Sequence, residues 1–109
     1  MIQSRFTSNT ANTSFEFKRP EDFPTNIQTL NVSQVVINFE TAPTTAGNIQ
    51  IYYEDDAGKD LIWEAEAQSK TFLRFSPASP ISIPNTAKLV IQYPNTDSVD
   101  ISVRVIWST

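Results

Sequence analysis

Apolar and polar residues alternate along most of this chain with a period of two. The clearest run is Val99-Asp100-Ile101-Ser102-Val103-Arg104-Val105-Ile106-Trp107. Val99, Ile101, Val103, Val105 and Trp107 fall on one face of it, and Asp100, Ser102 and Arg104 on the other. Successive side chains of a strand point to opposite faces, so the run predicts a half-buried strand of about nine residues. A helix would scatter the same apolar side chains around its circumference. Phe15/Phe17, Val35/Ile37/Phe39, Ile49/Ile51/Tyr53, Leu61/Trp63, Leu73/Phe75, Ile81/Ile83 and Leu89/Ile91/Tyr93 repeat the pattern, and Ile27–Val32 is a weaker candidate. The pattern predicts eight or nine short strands, about ten residues apart.

Turn-forming residues separate these runs. They are Arg19–Pro24, Thr41–Gly47, Asp55–Asp60, Ser76–Pro80 and Pro94–Asp97. Proline cannot donate to a strand ladder, so the seven prolines mark breaks or edges. The only helix-compatible stretch, Glu64–Lys70, is short enough to be a loop or a single turn. Many short strands with regular turns predict an all-β fold, an antiparallel β-sandwich of jelly-roll type over residues 14–109. The neighbouring alternative is an immunoglobulin-type sandwich, whose usual Cys–Trp–Cys signature is impossible in a chain without cysteine. Met1–Thr13 has only Ile2 and Phe6 as large apolar residues after the start, and it reads as a flexible N-terminal arm with no core duty.

Composition narrows the chemistry. The 109 residues fit one domain. Only 18% are charged, while Thr, Ser, Asn and Gln together supply 37 positions. Cys and His are absent, which removes disulfides, thiolate nucleophiles, imidazole bases and the commonest metal ligands, and no metal or cofactor is expected. A net charge of −4 argues against nucleic acid as a partner, because phosphate binding needs a basic surface. No run of 18 apolar residues occurs, so neither a transmembrane helix nor a membrane partner is expected. The first residues lack the basic and apolar regions of a secretory signal, so a non-secreted protein is expected. The sequons at Asn12 and Asn31 then read as chance in a chain rich in Ser, Thr and Asn.

Each candidate site has a plainer reading beside it. Asp55-Asp56-Ala57-Gly58-Lys59-Asp60 offers three carboxylates to a hard cation such as calcium, but departs from the twelve-residue calcium loop. A hairpin turn with Gly58 at positive φ explains it better. Glu64 and Glu66 have the spacing of a carboxylate pair on one strand face, the one route left to catalysis, though any solvated strand face carries such pairs. Trp63, Tyr53, Tyr93 and Trp107 are in phase with their apolar neighbours and read as core. Tyr52 alone is out of phase, and is the aromatic to consider as a sugar platform. The surface, low in charge and high in small polar groups, suits contact with other proteins.

The stretch Gln34–Tyr53 joins a strand, a Thr/Ala/Pro/Gly turn and a second strand, and it resembles small accessory proteins of tailed-bacteriophage particles. The proline-punctuated Ser76–Pro84 and the long C-terminal strand extend the likeness to about residues 34–107. It is one of pattern and composition, and it carries over no functional residue. The resemblance implies a non-enzymatic virion component that decorates or cements the capsid or forms a fibre. Its partners would be copies of itself, as a homo-oligomer, and other virion proteins such as the major capsid protein. On this reading Ile2 and Phe6 of the arm insert into a neighbour. A carbohydrate-binding or receptor-binding module on a fibre or tail, using Tyr52 and the acidic turn, is the alternative.

Overall fold

The computed structural model describes residues 1–20 and 29–109; the start of the weak Ile27–Val32 candidate and most of the Arg19–Pro24 turn lie outside the described residues. Nine strands and no helix occur among those described: β1 (Ile2–Ser8), β2 (Thr13–Phe17), β3 (Thr29–Phe39), β4 (Asn48–Asp55), β5 (Gly58–Glu66), β6 (Phe72–Phe75), β7 (Ile81–Pro84), β8 (Lys88–Tyr93) and β9 (Ile101–Ser108). Sheet A has the order β1-β9-β3-β6, with β7 also laid against β3, and sheet B has the order β2-β8-β4-β5. All pairings are antiparallel. Strands β6 and β7 lie one after the other along β3 and act as halves of one interrupted strand. The result is the jelly roll, two facing four-strand layers in which the chain keeps crossing from one to the other.

Alternation decides which side chains fill the space between the sheets. Val35, Ile37, Ile49, Ile51, Leu89, Ile91, Val103 and Val105 are all buried in one core. Four aromatic pairs tie sheet A to sheet B: Phe6–Phe15, Phe17–Trp107, Phe39–Tyr93 and Trp63–Phe75, with ring centroids 5.4–5.9 Å apart. Offset and tilted ring pairs at this spacing add to area burial. Trp63, Tyr53, Tyr93 and Trp107 thus belong to the core or pack against it.

Two expected strands prove to be one. Leu30 and Val32 point inward from even positions, and Val35, Ile37 and Phe39 from odd ones. A bulge between Val32 and Gln34 absorbs the change of phase, and the Ser33 hydroxyl donates to the Ile106 carbonyl at 3.1 Å. A second bulge, opposite Ile51/Tyr52, sets Leu61 against Tyr52 on the outer face, although alternation with Trp63 placed it inside. Glu64–Glu66 of the helix-compatible stretch end β5, and Gln68–Ser69 form a turn.

The expected arm is a strand. Ile2–Ser8 pairs with β9 at seven positions, from Ile2↔Trp107 to Ser8↔Ile101, and Thr13 opens β2. Ser4 and Ser8 share the inward face with Phe6, so the alternation is carried mostly by small polar residues and escapes a hydrophobicity reading. Ser4 earns its position by accepting the Trp107 Nε1–H at 3.0 Å. Phe6 is half-buried against the core. Backbone bonds to β9 hold the strand with little apolar burial of its own.

Val103 is fully buried at the centre of β9, whereas Ser102 faces outward. Val103→Asp should therefore cost several kcal/mol, enough to unfold so small a domain, and Ser102→Asp less than about 1 kcal/mol. Thermal melts of the two variants check the assignment of faces; equal shifts would refute it.

Candidate functional site

The residues singled out from the sequence do not meet at one place. Ile2 and Phe6 share the inward side of β1, where Phe6 is half-buried and Ile2 remains 44% exposed at the sheet edge. Tyr52 stands on the far sheet, on the outer face between Val90 and Leu61. Its hydroxyl donates to Gln50 Oε1 at 3.0 Å, and the Lys59 ammonium sits 4.4 Å from its ring centroid. A cation already occupies one ring face, which weakens Tyr52 as a stacking platform for sugars.

The acidic turn is a hairpin. Asp55 pairs with Gly58 across a two-residue tip, Asp55 Oδ1 accepts the Ala57 N–H at 2.9 Å, and Gly58 has φ of +139°, which favours glycine. Among the described residues no three acidic side chains converge as a metal site would require. Glu64 and Glu66 are separately engaged. Glu64 Oε2 accepts from Gln50 Nε2 at 3.1 Å, while Glu66 Oε1 accepts the Gly47 and Gln68 N–H groups at 2.8 and 2.9 Å. Those backbone donors hold the Glu66 carboxyl below its ordinary pKa, the wrong direction for a general acid.

An open cleft lies elsewhere, on the outer face of sheet A. About 630 Å³ in volume, it is lined by Arg5, Thr7, Asn38, Glu40, Asp100 and Ser102, among others. Its floor follows from the register, which sets Thr7, Ser102 and Asn38 side by side on β1, β9 and β3. The next row holds Arg5, Arg104, Val36 and Arg74 in that order across the sheet. Three of the chain's four arginines therefore share one line of a protein whose net charge is −4. Val36, set between Arg104 and Arg74 in this row, is only 3% exposed on the outer face. At the row's far end the Arg74 guanidinium lies 5.3 Å from the ring of Phe72, which is 45% exposed. At the cleft's other end the Glu40 carboxyl meets that of Asp100, and their shared hydrogen bond and mutual repulsion raise the Glu40 pKa. This row is invisible in the sequence, because the four residues come from four strands spread over 100 positions.

Sheet B is charged differently. Lys88 Nζ lies 2.6 Å from Glu16 and 3.4 Å from Glu54, a neutralising cluster across β2, β8 and β4. At one end of the sandwich Asp97 accepts the Thr44 and Thr45 N–H groups, both at 2.9 Å, and the Thr45 hydroxyl at 2.8 Å. These bonds lower its pKa and fasten the 41–47 loop to the loop before β9.

The large exposed apolar side chains have a common address. Ile2 belongs to β1, Leu61 and Ile62 to β5, and Phe72 to β6, with Met1 just before β1. Each of those strands is the edge of its sheet. No family model matches the chain, and no curated protein matches it.

Two carboxylates of opposite behaviour give a pH signature. The depressed Asp97 pKa stabilises the fold above the ordinary carboxylate range, an effect lost as pH falls through its lowered value. The raised Glu40 pKa works in reverse, stabilising in acid and costing stability as pH rises through it. Asp97→Asn should thus lower the melting temperature at pH 7 and converge with the parent in acid. Glu40→Gln should raise it slightly at pH 7, since both groups are exposed to solvent. Melting curves between pH 2 and 8 check both signs.

Proposed function

We propose that this chain is a non-enzymatic structural protein of a tailed-phage virion, a capsid decoration or cement protein that works by contact with other subunits. The observation that carries the reading is the distribution of exposed apolar side chains on the edge strands β1, β5 and β6. Sheet edges present unpaired N–H and C=O groups, and natural proteins usually guard them with charge or proline. Here, beside their charged residues, they also expose Ile2, Leu61, Ile62 and Phe72. Contact by the rims of the sandwich fits a subunit that fills gaps between others, as the resemblance to accessory virion proteins implies. Light scattering on the purified chain, followed by co-sedimentation with assembled capsids of the phage that encodes it, tests the proposal. A chain that neither self-associates nor binds capsids refutes it.

The cleft favours one second reading, a carbohydrate-binding module. Guanidinium, hydroxyl, amide and carboxylate groups of Arg5, Thr7, Ser102, Asn38 and Asp100 line one polar depression suited to sugar hydroxyls. Titration with host surface polysaccharide decides it. Binding that Asn38→Ala/Ser102→Ala abolishes would establish this role, and no heat of binding would dismiss it.

A further inference from the structure

Taking the reading as a subunit-contact protein as its basis, we propose that copies associate head to tail, the free edge of β1 in one copy pairing with the free edge of β5 in the next. Among the described residues, β1 is bonded only to β9, and β5 only to β4, so each has one open side. These are also the two long open edges. β1 runs seven residues and β5 nine, while β6 and β7 have four each and β2 has five. Strand β7 also ends in Pro84, which cannot donate to a ladder. Neither β1 nor β5 contains proline.

Charge selects the partner. Arg5 is the only charged residue of β1, whereas β5 holds Asp60, Glu64 and Glu66 against the single Lys59. Pairing β1 with a second β1 would bring Arg5 towards Arg5, and pairing β5 with a second β5 would bring acid towards acid. Like charges across a strand pair are destabilising and opposite ones favourable, so the mixed pairing wins. Apolar matter is present on both sides of it, Ile2 on β1 with Met1 just before it, and Leu61 and Ile62 on β5, all exposed in the single copy. The aromatic pairs Phe6–Phe15 and Trp63–Phe75 place β1 beside β2 at one flank of the sandwich and β5 beside β6 at the other. Each copy thus offers one edge of each kind on opposite flanks. Such a heterologous contact repeats, closing into a ring or continuing as a row.

Two variants, each crippling one edge, test this. Ile2→Glu/Arg5→Glu alters β1 alone, and Leu61→Lys/Glu64→Lys alters β5 alone; Arg5→Glu and Glu64→Lys singly serve if either double variant does not fold. Light scattering is expected to show the parent associated, each variant alone monomeric, and their equimolar mixture associated again, because the two altered edges are opposite in charge as the native ones are. If the β5 variant still dimerises by itself, β1 pairs with β1, and the inference is wrong. Dimerisation of the β1 variant alone overturns it equally, as does a mixture that stays monomeric. A parent that is monomeric at every concentration also refutes it. In that case retained capsid binding leaves the subunit-contact reading standing, and its loss removes both.

Discussion

Strands β3 and β9 are paired from Asn31↔Ser108 to Phe39↔Ile101, and every other strand of sheet A is bonded to one of these two. The ladder matters because of what hangs from it on each side. Inward, Val35, Ile37, Val103 and Val105 are wholly buried and give sheet B an apolar surface to rest on. Outward, the same strands carry Asn38, Ser102 and Arg104, which make the floor of the polar cleft and its basic row. A one-residue slip of this register would exchange the two sets and destroy both core and cleft. The bulge at Ser33 is therefore part of the specification, since it keeps Leu30 and Val32 inward at the other end of an eleven-residue strand.

Polar groups do the remaining positioning at the loop ends. Asn95 is fully buried, where its amide donates to the Thr10 and Val99 carbonyls and its oxygen accepts the Val99 N–H. Burying an amide is tolerable only when its bonds are made, and here they join the β1–β2 connection to the turn before β9. Asp97, two residues on, secures the 41–47 loop to the same turn. A single short segment thereby aligns the entrances to three strands.

Much of this architecture was legible in the sequence, and the exceptions have specific causes. Strands β8 and β9 announce themselves because their inward positions, Leu89, Ile91 and Tyr93 in one and Ile101, Val103, Val105 and Trp107 in the other, are all apolar. Strand β1 does not, since Ser4 and Ser8 stand where a core residue would, and their contribution is a hydrogen bond and close backbone approach. Leu61 was misplaced because a bulge changes the parity of a strand without changing its composition. Sites suffer more than strands. Tyr52 was noticeable for being out of phase, yet what limits its role is Lys59, brought over its ring by a hairpin. The arginine row could not be found at all, because membership depends on registers among four strands and no local spacing encodes them.

The pairing of Ile2 with Trp107 has a kinetic side. A ribosome finishes β1 about a hundred residues before it supplies β9, the strand that β1 must join. Through that interval β1 is a free ribbon with Ile2 and Phe6 uncovered, and loop closure across so long a separation makes the final pairing slow. Sheet A can gather β3, β6 and β7 earlier, but its first strand must be its last addition. Until β9 emerges, β1 has no strand to join, so the order of synthesis leaves the closing of sheet A to the last strand of the chain.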